Sequence, residues 1–233
     1  MSLDAPQSRD TPMGALVIFL KAPQRSKRRL AARIGDANAA AAAFRLLACA
    51  LEDASNWPGP VVLAPAEATD AAWLADSGLG PHAVVVQQGR TLGERINHVD
   101  AVLRSRGLER LIYIGADCPT LDGNYLERAA AALDRADAVL GPASDGGVVL
   151  MAARRAWPPI GDLAWSTLAL REDLLERLAG DLWSVDCLDP LADVDSVEDL
   201  MTAGAELAAD ARPARRAFVE WLQSLDPLHA EAS

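Results

Sequence analysis

Histidine and cysteine are scarce in this 233-residue sequence, at three each, and neither kind clusters. His82, His98 and His229 are too dispersed along the chain to build a histidine-rich transition-metal centre, so any metal is expected to be a hard cation held by carboxylates. Cys49, Cys118 and Cys187 are odd in number and form no Cys-x-x-Cys pair, which argues against a disulfide framework and fits a reducing, cytoplasmic setting. Residues 1–11 have no basic stretch followed by an apolar core, so no signal peptide is expected. No continuous apolar run approaches the ~20 residues that span a bilayer, so no membrane span is expected either. Cations are in deficit: 22 Lys and Arg stand against 33 Asp and Glu, and the net charge of −11 repels nucleic acid and anionic membrane surfaces. The sequence also lacks a G-x-G-x-x-G fingerprint and a Walker A lysine, which leaves a dinucleotide site and a P-loop without support.

What the chain has is 51% hydrophobic residues over a length that suits one domain with a sizeable core. Its few cations are unevenly placed. Lys21, Arg25, Lys27, Arg28, Arg29 and Arg33 crowd into one short stretch, and residues 11–35 contain no acid. Without those six the chain carries 16 basic against 33 acidic residues, a net of −17. Taken alone, a charge run of this kind is most simply a solvated helix face.

Short apolar runs alternate with helical periodicity. Ala15–Leu20 is continuously apolar, as in a strand buried on both faces. Further strands are expected at Val61–Leu63, Ala83–Val86, Leu111–Ile114, Ala138–Leu140, Val148–Met151 and Leu182–Val185. Helices are expected over Asp36–Ala54, through Leu92, Ile96, Val99 and Leu103, over Asn124–Leu133, through Leu170, Leu174 and Leu178, and from about Val197 and Ala214. This alternation predicts βαβ units and a mainly parallel sheet covered on both faces. The expected layout is a flexible segment over 1–13, one domain over 14–210, and a helix and tail over 211–233. In open sheets of this kind ligands bind beyond the carboxyl ends of the strands, so chemistry is sought there.

Four strand ends carry chemistry-bearing residues. After the first comes the basic loop from Lys21 to Leu30, whose ammonium and guanidinium groups suit a diphosphate. After the fourth comes Gly115-Ala116-Asp117-Cys118-Pro119, where Asp117 is either a ligand for Mg²⁺ or Mn²⁺ or a cap for the next helix. Cys118 reads as a small buried residue, since no histidine lies nearby in sequence. Gly141–Gly147 is either a plain hairpin or a close-approach turn in which Asp145 meets sugar hydroxyls. Asp193-Val194-Asp195-Ser196 follows the last strand, with Ser196 and Asp199 in a capping-box pattern and Asp193 or Asp195 available as a second carboxylate. Trp165-Ser166-Thr167 is expected to open a helix with a hydroxyl cap.

Taken in order, Lys21-x-Pro23 with Lys27-x-Arg29-Leu30, Gln88-Gly89-x-x-Leu92-Gly93-x-Arg95, Gly115-x-Asp117-Cys118-Pro119, Gly141-Pro142-x-x-Asp145-Gly146-Gly147, Trp165-Ser166-Thr167 and Asp193-x-Asp195-Ser196-x-Glu198-Asp199-Leu200 resemble a bacterial family of glycosyltransferase-like proteins of undefined function, DUF2064, over about residues 16–200. A more distant similarity is to nucleotidyltransferases of the molybdenum-cofactor and phospholactate guanylyltransferase type. The resemblance implies a Rossmann-like, three-layer α/β/α fold of the GT-A nucleotide-diphospho-sugar transferase kind, with a mainly parallel mixed sheet. It implies Mg²⁺ or Mn²⁺ on Asp117 and Asp195, and Lys21, Lys27, Arg29 and Arg95 as nucleotide and phosphate ligands. It further implies Asp145, Gly146, Gly147 and Trp165 on the sugar or acceptor side, with Asp145 orienting or deprotonating the acceptor. The implied partners are a nucleoside diphosphate sugar, or an NTP, and a small-molecule acceptor; the oligomeric state is left open. The loop here is two residues shorter than is usual for the family, has no glycine and carries Arg28 in place of threonine, so side-chain charge substitutes for a backbone phosphate cradle. The alternatives are nucleotidyl transfer, which needs the same groups, and a nucleotide-binding module without activity.

Overall fold

The computed structural model describes residues 13–79 and 82–225. The expected flexible segment, except Met13, and the tail from residue 226 lie outside the described residues. Seven strands form one sheet: β1 (Ala15–Leu20), β2 (Val61–Pro65), β3 (Ala83–Val84), β4 (Leu111–Gly115), β5 (Ala138–Pro142), β6 (Val148–Ala153) and β7 (Val185–Cys187). Their order is β3-β2-β1-β4-β6-β5-β7, and β6 alone runs against its neighbours β4 and β5. Seven α-helices lie among the described residues: α1 (Arg28–Ser55), α2 (Ala68–Asp76), α3 (Leu92–Ser105), α4 (Gly123–Ala132), α5 (Leu170–Gly180), α6 (Val197–Glu206) and α7 (Pro213–Ser224). The protein is thus a single-domain three-layer α/β fold with a mainly parallel mixed sheet.

The period-2 geometry of a strand explains how β1 is buried on both faces. Leu16, Ile18 and Leu20 join the core layer that contains Leu47, Leu126 and Leu133, while Ala15 and Val17 join the layer that contains Ile96, Val99 and Leu174. A third cluster, with Leu30, Leu46, Val194, Leu200 and Phe218, packs α1 against α6 and α7. The C-terminal helix therefore belongs to the packed body.

Three expectations change. α1 starts at Arg28, not Asp36, and bends at Gly35 (φ 80°, ψ 158°), so the basic stretch forms the first turns of a kinked helix. The apolar run from Leu182 is not strand: Leu182 is an exposed turn residue at φ 56°, and Trp183 is buried, stacking on Trp157 with centroids 5.6 Å apart. Thr167 does not cap α5, whose N-cap is Ala169 without a side-chain bond; the Thr167 hydroxyl donates to Ala164 O instead. By length and composition α1 is apolar enough to cross a membrane, a property carried by alanines that the count of continuous apolar runs missed. Here its inner face packs on the sheet and on α6 and α7.

Helix α3 clamps the irregular segment that precedes α5. Asn97 donates to Pro158 O at 2.8 Å and accepts from Ile160 N at 3.0 Å. Buried Asp100 accepts from Tyr113 OH at 2.7 Å and from Trp157 N at 3.3 Å. Gly93 makes the contact close enough: a Cβ there would stand 2.1 Å from Ile160 O and 2.4 Å from Trp165 Nε1. Gly93→Ala is expected to push α3 off this segment and destabilise the protein by about 1–3 kcal/mol, read as a fall of several degrees in melting temperature. An unchanged melting temperature would show that the clamp is slack.

Candidate functional site

The carboxyl ends of β1, β4 and β5 and the start of β6 open onto a cleft of about 410 Å³. Asp117 reaches it because β4 ends on Gly115, where a side chain would stand 2.5 Å from Asp117 Oδ1. Asp117 is not a helix cap; Asp122 caps α4 by accepting from Tyr125 N at 2.8 Å. Val194 supplies the second part of the site. It is buried among α1, α6 and α7, and its N–H donates to Asp117 O at 2.9 Å. Alternation along this extended segment then leaves Asp193 and Asp195 on the cleft side, where both line the cavity. Asp117, Asp193 and Asp195 bring one carboxylate oxygen each within 4.8 Å of one another. Ser196 and Asp199 form the expected capping box, which fixes the chain just after the triad.

Three carboxylates so close repel one another. Lys27 is the answer within the chain: its Nζ donates to Asp117 Oδ2 at 3.1 Å, Asp195 Oδ1 at 3.2 Å and Val194 O at 2.5 Å. The Lys27 side chain is 6% exposed. Burial alone would lower the Lys27 pKa, but the two carboxylates outweigh it and hold the pKa above its ordinary value. Lys27, expected from the sequence to face phosphate, thus has its three donors on the two carboxylates and Val194 O. It reaches them from a left-handed backbone (φ 50°, ψ 44°), a conformation that costs a non-glycine residue on the order of 1 kcal/mol. Asp193 makes no contact with Lys27 among the described bonds and pairs. Partial burial, then Asp117 and Asp195, push its pKa up to about 6.

The remaining expected residues divide. Lys21 and Arg29 line the cleft, and Arg29 Nη1 lies 3.6 Å from Asp195 Oδ2. The loop that carries Lys21 is fixed from below by fully buried Asp70, which accepts from Ala22 N at 3.1 Å. Arg95 is not part of the cleft lining; its Nε donates to Gly89 O at 3.1 Å. Asp145 and Gly147 line the cleft on a true β5–β6 hairpin, and Asp145 Oδ1 accepts from Gly147 N at 3.0 Å. Gly146 (φ 93°) sits beside the cleft against Leu168 O, and Trp165 lines the cleft. Burial pushes the Cys118 thiol up to about 11, so it is an inert packing residue.

One residue that sequence reading passed over is Arg215. It is 0% exposed and donates through all five N–H groups. Its acceptors are Pro119 O, Cys49 O, Leu121 O, Glu52 and Asp53. It thereby joins α7 and α1 to the turn that follows Asp117. Its signal was present in the sequence, because Arg215 stands three and seven residues before Phe218 and Leu222, on the apolar stripe of α7.

Residues 47–167, just over half of the chain, match the model of a family described as uncharacterized proteins conserved in bacteria, DUF2064. No curated protein matches the chain. The fold is shared with a candidate nucleotide-diphospho-sugar transferase from Desulfovibrio desulfuricans G20, at 24% identity and TM-score 0.84 over 92% of this chain and 97% of that one. It is shared more loosely with 4-diphosphocytidyl-2C-methyl-D-erythritol synthase from Anaerococcus prevotii DSM 20548, at 11% identity and TM-score 0.55 over 84% and 97% of the two chains. A manganese complex of Rv0371c from Mycobacterium tuberculosis H37Rv aligns at 15% identity and TM-score 0.52 over 81% and 97%.

Asp193 binds its proton more tightly in the folded state than in the unfolded one, so its contribution to stability is present at low pH and is lost as pH rises towards about 6. Asp193→Asn in chelator is thus expected to raise stability at neutral pH by on the order of 1 kcal/mol after solvent screening, a gain that vanishes below about pH 4. Thermal melts across that range check it, and a destabilised variant at neutral pH would contradict it. Arg215→Met leaves Glu52 without its cation and Asp53 with Arg212 alone, and is expected to cost about 3–5 kcal/mol in denaturant unfolding. Arg215→Lys is expected to recover part of this, since an ammonium cannot serve five acceptors.

Proposed function

The chain belongs to the DUF2064 family of uncharacterized bacterial proteins, and we propose that it is a metal-dependent transferase that uses a nucleoside diphosphate sugar. The observation that carries this reading is the convergence of Asp117, Asp193 and Asp195 at one sheet edge beside Lys21 and Arg29. The triad fits a hard divalent cation: all its donors are carboxylate oxygens, and burial, followed by the charges of Asp117 and Asp195, raises the pKa of Asp193. Mg²⁺ or Mn²⁺ bound there would neutralise a diphosphate and the charge that develops as it leaves. The manganese complex of the Rv0371c neighbour is consistent with this choice.

The chain's own groups have separate tasks. Lys21 and Arg29 face the cleft and meet phosphate oxygens, Arg29 with a planar fork suited to two at once. Lys27 keeps Asp117 and Asp195 together, so the carboxylates are pre-positioned. Arg95 is assigned to the approach to the cleft rather than to its lining. Across the cleft the Asp145 hairpin faces the acceptor, with Gly146 and Gly147 keeping the turn slim and Trp165 forming the opposite wall. In the transfer, the acceptor oxygen bonds to the anomeric carbon and the carbon–oxygen bond to the diphosphate breaks. The nucleoside diphosphate leaves with the electron pair, and the acceptor proton passes to the Asp145 carboxylate.

Nucleotidyl transfer from an NTP is the second reading, favoured by the fold shared with the erythritol synthase. Thermal shift against nucleoside diphosphate sugars and NTPs, with and without Mn²⁺, tests both. A Mn²⁺-dependent shift is expected for the wild type and is expected to be lost in Asp117→Asn; a shift that survives removes the metal assignment. Pyrophosphate release with an NTP and an acceptor alcohol would replace glycosyl by nucleotidyl transfer, and no shift with any nucleotide would sink both.

A further inference from the structure

The cleft has two chemically different halves. One holds the carboxylates and cations. The other is the wall formed by Phe19 of β1, Tyr113 of β4, Met151 of β6, Ile96 of α3, Trp165 from the segment leading into α5, and Leu170 at the start of α5. All six belong to, or pack against, the core layer on the α3 and α5 face of the sheet, so the cavity enters that layer directly.

Four cleft-lining residues, two of them on this wall, spend side-chain donors within the protein. Tyr113 OH donates to Asp100 at 2.7 Å, and Trp165 Nε1 donates to Ile160 O at 2.8 Å. Thr167 Oγ1 donates to Ala164 O at 2.7 Å, and Gln87 Nε2 donates to Ala64 O at 2.6 Å. These four residues line the cleft, yet their donor groups are turned into the protein. Against Phe19, Tyr113 and Trp165, a polyhydroxylated ring would give up water to carbon surface and to donors already paired within the protein. An apolar ring gains in proportion to the surface it buries there.

The entrance carries the same character. Leu92, which lines the cleft, is 43% exposed, and Leu168, whose carbonyl lies against Gly146 of the acceptor hairpin, is 76% exposed. Large aliphatic side chains left in water beside an apolar wall are accounted for when a ligand covers them.

We infer that the acceptor is a hydroxyl compound with an aromatic or similarly apolar ring body, seated on the Phe19–Tyr113–Trp165 wall with its hydroxyl towards Asp145 and the carboxylates. The inference rests on the transferase reading for the word acceptor, but the apolar subsite can be tested without turnover. Calorimetric titration of the full-length protein with 2-naphthol and with methyl β-D-glucopyranoside compares the two chemistries directly. The naphthol is expected to bind at least about tenfold more tightly. Leu92→Asn, at a half-exposed position, is expected to weaken naphthol by about fivefold, the effect of losing part of one leucine's burial, while the ligand-free melting temperature stays within error. The Mn²⁺-dependent nucleotide shift is expected to persist in that variant. Equal or tighter binding of the glucoside, or naphthol binding indifferent to Leu92→Asn, overturns the inference. If the Mn²⁺-dependent shift is absent in the wild type while naphthol still discriminates, the transferase reading fails and the apolar subsite stands.

Discussion

Three carboxylates drawn to one sheet edge must be held against their own repulsion, and much of the local architecture answers that need. Lys27 is placed in a left-handed backbone so that its ammonium can bridge Asp117 and Asp195 and also bond Val194 O. Val194 is sunk into the α1–α6–α7 cluster, which prevents the segment bearing Asp193 and Asp195 from swinging away. Gly115 leaves room for the Asp117 carboxylate over the end of β4. The left-handed backbone at Lys27 is costly in isolation, as expected where function is set against stability.

The support beneath this edge is equally polar. Arg215 spends all its donors on α1 and on the turn after Asp117, so the C-terminal helix is coupled to the site through a buried guanidinium. A hydrophobic residue of similar volume could fill the space, but it could not hold two backbone carbonyls of that turn. On the opposite side of the sheet, Asn97 and Asp100 tie the Trp157–Trp165 segment to α3 and so set the far wall of the cleft. The cleft is therefore framed by fixed elements on both sides, and its contrast between a charged and an apolar half is built into the scaffold.

That contrast organises the chemistry. In the proposed reaction, charge on one side addresses phosphate and the departing group; on the other, inward-bonded Tyr113 and Trp165 leave carbon surface for the acceptor. The net charge of −11 and the basic stretch fit the same proposal, since Lys21 and Arg29 place positive charge in the cleft of a chain that is otherwise strongly acidic.

The fold and the strand-end acids were legible because they follow from local rules. Continuous apolar runs are buried strands, leucines at helical spacing are inward faces, and parallel βαβ order puts the residues after each strand on one edge. Ser196 and Asp199 could be paired from their spacing alone, for the same reason. Gly35 hid the first turns of α1, and the run at Leu182 mimicked a strand because an anchoring tryptophan and a strand share the same apolar letters. What no local rule reaches is which charges meet. Lys27 lies 90 residues from Asp117 and 168 from Asp195, and Arg215 lies 166 from Cys49. The sequence by itself determined a mixed sheet with acids and cations at its carboxyl edge. Tertiary structure alone decided that Lys27 bridges Asp117 and Asp195, that Asp193 completes the triad, and that Arg215 anchors the turn, because those partners are chosen by burial and by distances that exist only once the sheet is assembled.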